Sequence, residues 1–145
     1  MALSTYDSSK IDTIIGGAIM EGFADGTFVT ISRDEDSYTK VTGADGRTSR
    51  SKSSNKAGRL TIILQQTSPS NDILSAFVAE DEVTSNAIKS ILLRDSLGTT
   101  VVASGAGWVV KPADVEFSKE ISNREWMLDC ADLAVFVGGN PTFNG

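Results

Sequence analysis

Thirteen glycines are spread along 145 residues, and between them lie short runs rich in Val, Ile, Thr, Phe and Trp. Glycine supplies the positive φ that tight turns require, so a chain interrupted this often reads as strands joined by turns. Thr13 to Phe23 and Thr27 to Arg33 flank Ala24-Asp25-Gly26, which predicts a hairpin, and Tyr38 to Thr42 is a further extended run. Arg59 to Gln66 places Leu60, Ile62 and Leu64 on one face and Ile63 on the other, a strand covered on both sides. Ser68-Pro69-Ser70-Asn71-Asp72 joins a capping residue, a first-turn proline and an early acid, which predicts a helix from about Pro69 to Asp81. Its Ile73, Leu74, Phe77 and Val78 form one apolar stripe suited to packing on a sheet. Further strands are expected over Ala87 to Arg94, Thr99 to Ser104, Gly107 to Lys111, Val115 to Ile121, Arg124 to Cys130 and Leu133 to Val137. The expected architecture is mostly β, a sandwich or barrel carrying one flanking α-helix. No internal repeat is visible, and the length suits one domain, 1–145.

Composition excludes much chemistry. Histidine is absent, which removes the commonest general base and metal ligand, and the single Cys130 can form neither an internal disulfide nor a thiolate cluster. No enzyme activity and no cofactor are expected. No apolar run is long enough to span a bilayer, so no membrane insertion is expected; the first residues lack a signal-peptide pattern, so cytoplasmic synthesis is expected. The formal charge of −6 disfavours nucleic-acid binding over the whole surface.

The most informative segment is polar and cationic. From Arg47 to Gly58 only Ala57 is apolar, and between Gly46 and Asn71 stand Arg47, Arg50, Lys52, Lys56 and Arg59 with no acid. The remaining eight cations face nineteen acids, a balance of −11, so the chain is strongly polarised. Such a segment is too poor in apolar surface to order itself. It also lacks an aromatic for base stacking. A long cationic loop, 43–58, on an anionic body suits head-to-tail assembly, the loop of one copy docking on an acidic rim of the next. A merely solvated hairpin tip is the competing reading. Candidate acidic partners are Asp34, Glu35 and Asp36, together with Glu80, Asp81 and Glu82.

Several motifs invite chemistry and fail. Asp34-Glu35-Asp36 lacks the spacing of a calcium loop and reads as a solvated turn. Glu80-Asp81-Glu82 near the helix C-terminus opposes the macrodipole, so either the helix stops earlier, the favoured reading, or a cation faces these acids. Gly105-Ala106-Gly107 lacks the third glycine of a dinucleotide loop and reads as a bulge or turn. Trp108 and Trp126 read as core residues, with sugar or base stacking as the alternative.

The ordered set Tyr6-Asp7, Gly22-Phe23-Ala24-Asp25-Gly26-Thr27-Phe28, Arg33-Asp34-Glu35-Asp36, Gly43-Ala44-Asp45-Gly46, Gln66-Thr67-Ser68-Pro69-Ser70-Asn71-Asp72, Arg124-Glu125-Trp126 and Val137-Gly138-Gly139-Asn140 resembles the tail tube proteins of contractile-tailed bacteriophages. The stretches span nearly the whole chain, and Gln66 to Asp72 is the strongest of them. The resemblance implies an Hcp-like tube fold, the architecture shared with the secreted tube protein of type VI secretion systems. It implies six copies closing a ring, and rings stacking into a hollow tube inside a contractile sheath that carries DNA without gripping it. The implied partners are further copies of the chain, the tail sheath protein, and baseplate and terminator proteins; the implied location is the virion tail. Carried onto this chain, the loop that reaches the adjacent ring is Gly43 to Gly58. The N-terminal arm, 1–10, and the C-terminal tail, 138–145, are candidates for contacts between subunits or with sheath. Two alternatives stay open: a tail-completion or baseplate ring protein of the same fold, and a monomeric β-sandwich module binding a glycan or host surface.

Overall fold

Leu60, Ile62 and Leu64 alternate along one face of a strand and are fully buried, the feature around which the rest of the computed structural model is organised. Residues 2–140 and 142–144 are described; Met1, Pro141 and Gly145, which fall in the expected arm and tail, lie outside them. In chain order the first strands are β1 (Ala2–Ser4), β2 (Ile11–Ile15), β3 (Ala18–Ile19) and β4 (Val29–Arg33). Next come β5 (Tyr38–Thr42), β6 (Thr48–Lys52) and β7 (Gly58–Gln65), then the helix α1 (Ser70–Thr84). The chain ends with β8 (Lys89–Asp95), β9 (Val101–Val109), β10 (Asn123–Cys130), β11 (Ala134–Phe136) and β12 (Thr142–Asn144).

The main sheet runs β3-β2-β8-β9-β10-β7-β4, with β11 on the β9 edge that also takes the end of β10. It curls until Phe28 and Val29 face Leu93 to Asp95 across a hollow of about 470 Å³. Its terminal strands β3 and β4 do not pair, so of the sandwich or barrel expected the structure forms a mostly-β, strongly curled open sheet with one helix. Inside the curl, Ile15, Leu60, Ile62, Leu64, Leu74 and Leu128 are all at 0% exposure; each is worth about 1.5–3 kcal/mol. The helix closes this core with Leu74 and Val78 buried and Ile73 and Phe77 packed beside them, the stripe expected from the sequence.

Several elements differ from expectation, each for a physical reason. The predicted hairpin around Asp25-Gly26 does not form: β2 pairs with β8 and β4 pairs with β7, and the two lie on different parts of the sheet. Gly26 has φ +88° but only bends a segment running along β7, where the Ala24 amide donates to the Ile63 carbonyl. The tight turn is at Gly16-Gly17, with φ +61° and +83°, between β2 and β3. The two strands expected over Thr99 to Ser104 and Gly107 to Lys111 merge into the one strand β9, Val101–Val109, and Gly105-Ala106-Gly107 is its bulge: the step from Lys89 to Ile91 on β8 faces the step from Gly107 to Ser104 on β9. Val115 to Ile121 forms no strand, since the sheet has no partner for it.

The helix continues past Asp81 to Thr84, so the earlier stop favoured from the sequence is wrong. A cation faces its acids instead: Lys89 Nζ lies 3.0 Å from Glu80 Oε2. Asp81 is also used, because its Oδ1 accepts the Ala87 amide. At the other end the Ser70 amide donates to Ser68 Oγ, and Ser70 Oγ accepts the Glu21 amide, stitching the helix start to the loop before β4.

Candidate assembly interface

The cationic segment is not a disordered loop. Its middle is the strand β6, paired in register with β5 from Tyr38–Lys52 to Thr42–Thr48. Loop 43–58 therefore divides into a turn at Gly43 to Arg47, the strand β6 and a return at 53–57, with Gly58 already in β7. Cross-strand pairing and the turn supply the order that burial does not. The Gly43 amide donates to the Arg47 carbonyl at 2.7 Å, and Gly46 at φ +85° adopts the left-handed backbone the turn requires. All ten strand residues of the hairpin are exposed.

Residues directly opposite on an antiparallel pair share a face. Tyr38, Lys40 and Thr42 therefore lie on one face with Lys52, Arg50 and Thr48, while Thr39, Val41, Ser49 and Ser51 form the other. One face is cationic, with the Arg50 guanidinium 4.2 Å from the Tyr38 ring centroid. The opposite face carries only hydroxyls and Val41, which is 69% exposed. Lys40 belongs to the cationic face and was missed from the sequence; its period-two spacing from Tyr38, opposite Arg50, was the available signal.

The other candidate residues fall in different places. Arg47 sits at the turn, 3.9 Å from Asp45, an exposed pair of little energy. Lys56 lies in the return, where its carbonyl accepts the Leu133 amide. Arg59 is not part of the loop: it stands in β7, with Nε 2.8 Å from Asp129 Oδ1. That hydrogen bond, reinforced by the carboxylate charge, raises the guanidinium pKa. The hairpin is anchored at its root by Arg33, whose Nε and Nη2 donate to the buried Leu133 carbonyl at 3.2 and 2.7 Å.

The two acidic clusters do not form one surface. Asp34, Glu35 and Asp36 make an exposed bend at the root of the same hairpin, where Ser53 Oγ donates to Glu35. Glu80, Asp81 and Glu82 occupy the last turn of α1, engaged by Lys89 and the Ala87 amide. Trp126 is 3% exposed and donates from Nε1 to Asn71 Oδ1 at 2.9 Å, while Trp108 is half-buried, so neither is a free stacking platform.

A different surface is more exposed than the sequence suggested. The irregular stretch 110–122 presents Val115, Phe117 and Ile121 at 71%, 76% and 68% exposure. Phe117 lies over the Arg124 guanidinium at 5.4 Å, and Arg124 Nη1 donates to the Glu116 carbonyl. The arm and tail meet each other, β1 pairing with β12 from Ala2–Asn144 to Ser4–Thr142.

Comparison with known proteins places this architecture. The structural protein ORF10 of Pseudomonas phage KPP10 is 27% identical over 146 residues, covering 94% of this chain and 84% of that protein. Among solved structures, the tube-terminating cap of the anti-feeding prophage has TM-score 0.64 at 10% identity, over 92% of each chain. The sheath/tube terminator of the PVC extracellular contractile injection system has TM-score 0.64 at 13% identity, over 92% of this chain and 97% of that one. A chain of the same system's extended sheath-tube complex has TM-score 0.60 at 12% identity, over 91% of each. At such identities these structures share the fold. A family model for the bacteriophage PhiTE tail tube protein matches residues 4–138. The family is structural rather than enzymatic, and this chain accordingly belongs to the PhiTE-type family of phage tail tube proteins.

Proposed function

We propose that the chain is the repeating subunit of a phage tail tube, six copies closing a ring and rings stacking head to tail into a hollow conduit for DNA inside a contractile sheath. In this reading it is made in the host cytoplasm and built into the virion tail, meeting sheath, baseplate and terminator proteins there. The observation that carries the proposal is the β5–β6 hairpin: ten ordered strand residues with no buried side chain. A two-stranded hairpin is marginal alone in water, so one that stands off its own core suits a partner surface. The unpaired edges of β3 and β4 suit lateral neighbours in the same way, since free strand edges invite pairing. Family membership supports the same reading.

A second reading has a specific observation behind it. The two terminator-type neighbours align at TM-score 0.64, against 0.60 for the sheath-tube chain, so a ring that caps a tube without polymerising is the runner-up. Glycan binding has little support, because of the two aromatics it would use Trp126 is buried and hydrogen-bonded and Trp108 is half-buried.

Replacing Arg47, Arg50, Lys52 and Lys56 together by Glu tests the proposal. The variant is expected to keep its fold and its rings while losing the sedimenting tubes formed by the wild type. Tubes that persist unchanged would show that the hairpin charge plays no part in stacking.

A further inference from the structure

Resting on the tube-subunit reading, we infer that the receptor for the β5–β6 hairpin is the exposed apolar stretch 110–122 of a second copy of this chain, and not either of the acidic clusters 34–36 and 80–82.

The placement of the two surfaces carries this inference. The hairpin springs from the Gly58 end of β7, where Arg33 pairs with Gly58 and the Asp34 amide donates to the Ala57 carbonyl. The stretch 110–122 starts beside mid-strand, where the Val110 amide donates to the Met127 carbonyl, and its later part lies at the other end of β7, where Asn123 pairs with Gln65 and the Gln66 amide donates to the Ser122 carbonyl. Eight residues of strand separate the two, roughly 23 Å at 3.3 Å per residue step. Heterologous stacking needs two different surfaces at opposite ends of one molecule, and these two meet that condition. The acids 34–36 fail it, since they sit at the root of the hairpin itself. The acids 80–82 are largely spent, Glu80 on Lys89 and Asp81 on the Ala87 amide.

The chemistry of the two surfaces also matches. Val115, Phe117 and Ile121 are all at least two-thirds exposed, and apolar side chains clustered like this on one irregular stretch mark an interaction surface. Beside them Asp114, Glu116 and Glu125 line a hollow of about 220 Å³, with Lys111 as its cation, 3.7 Å from Asp114. The hairpin offers a complementary pair of faces: Val41 among hydroxyls on one side, Lys40, Arg50 and Lys52 on the other. In the docked arrangement the hairpin sits between the two features, its Val41 face against the apolar side chains around Phe117 and its cationic face toward the carboxylates of the hollow. Such exposed charge pairs contribute chiefly register and rate, and the apolar contact contributes most of the affinity.

Disulfide trapping tests this. Val41→Cys in one preparation and Phe117→Cys in a second, size-tagged preparation are mixed under assembly conditions and oxidised; native Cys130 is buried and reports background in the wild type. The inference predicts a mixed dimer absent from either preparation alone and from a control mixing Val41→Cys with Val83→Cys, which marks the acidic helix end and is 85% exposed. As a second arm, Glu116→Lys should reduce tube formation and combining it with Arg50→Glu should restore it. Tubes in the micrographs with Val41→Cys joined to Val83→Cys, or with no joining to Phe117→Cys, overturn this docking surface and leave the tube reading intact. Wild-type protein that forms neither rings nor tubes overturns both.

Discussion

At the residue scale, Asn71 joins the helix to the sheet. Its Oδ1 accepts from the buried Trp126 indole, and its Nδ2 donates to the Gln65 and Gln66 carbonyls. Asn71→Ala leaves the indole N–H without a partner, so chemical denaturation should show a loss of about 1–3 kcal/mol. Asn71→Asp keeps the acceptor and loses the donors, and should lie between the two. Cys130 gives a second expectation. Burial pushes its thiol pKa above the ordinary 9.0, partly offset by a hydrogen bond with Ser104. Because the folded pKa is the higher one, its contribution to stability is fully present below about 9.0 and fades as pH rises through the folded value. Thermal melts of Cys130→Ala should therefore decline less steeply than wild type on the alkaline side; identical slopes would show that the thiol does not titrate differently on folding. The Asn71 site was legible in part: the Gln66–Asp72 helix start and the buried Trp126 were read from the sequence, but the Asn71–Trp126 link spans 55 positions and has no local signature.

At the element scale, β7 and the helix stripe were readable because burial leaves a periodic pattern: Leu60, Ile62 and Leu64 at period two, and Ile73, Leu74, Phe77 and Val78 at helical spacing. The strand β6 was not readable, for the same reason in reverse. Thr48-Ser49-Arg50-Ser51-Lys52 buries nothing within its own subunit, so no apolar alternation marks it, and its order comes from pairing with β5 and the Gly43–Gly46 turn. The helix end was misjudged because Lys89, which answers Glu80, belongs to the following strand. The hairpin should consequently be the least protected ordered element of the unassembled subunit. Hydrogen exchange should find β5–β6 amides exchanging about 100-fold or more faster than those of β7 and β10, with protection rising on assembly. Equal protection in the free subunit would mean that the hairpin has an intramolecular support not seen here.

At the scale of the whole molecule, strand order was the least legible feature. The Asp25-Gly26 turn signal is local, whereas β2 pairs with β8, some eighty residues later, as in Asp12–Arg94. What decides that pairing is the curl of the sheet around one core, a property of all strands together. The two ends of β7 acquire their meaning only at this scale: one carries a cationic hairpin and the other an exposed apolar stretch. In the proposed tube, a surface so divided is completed by further copies of the chain. Negative-stain microscopy of the purified wild-type protein across a concentration series tests this most directly. Rings, and with rising concentration stacked tubes, are the predicted images; a uniform field of single subunits at the highest concentration would contradict the account.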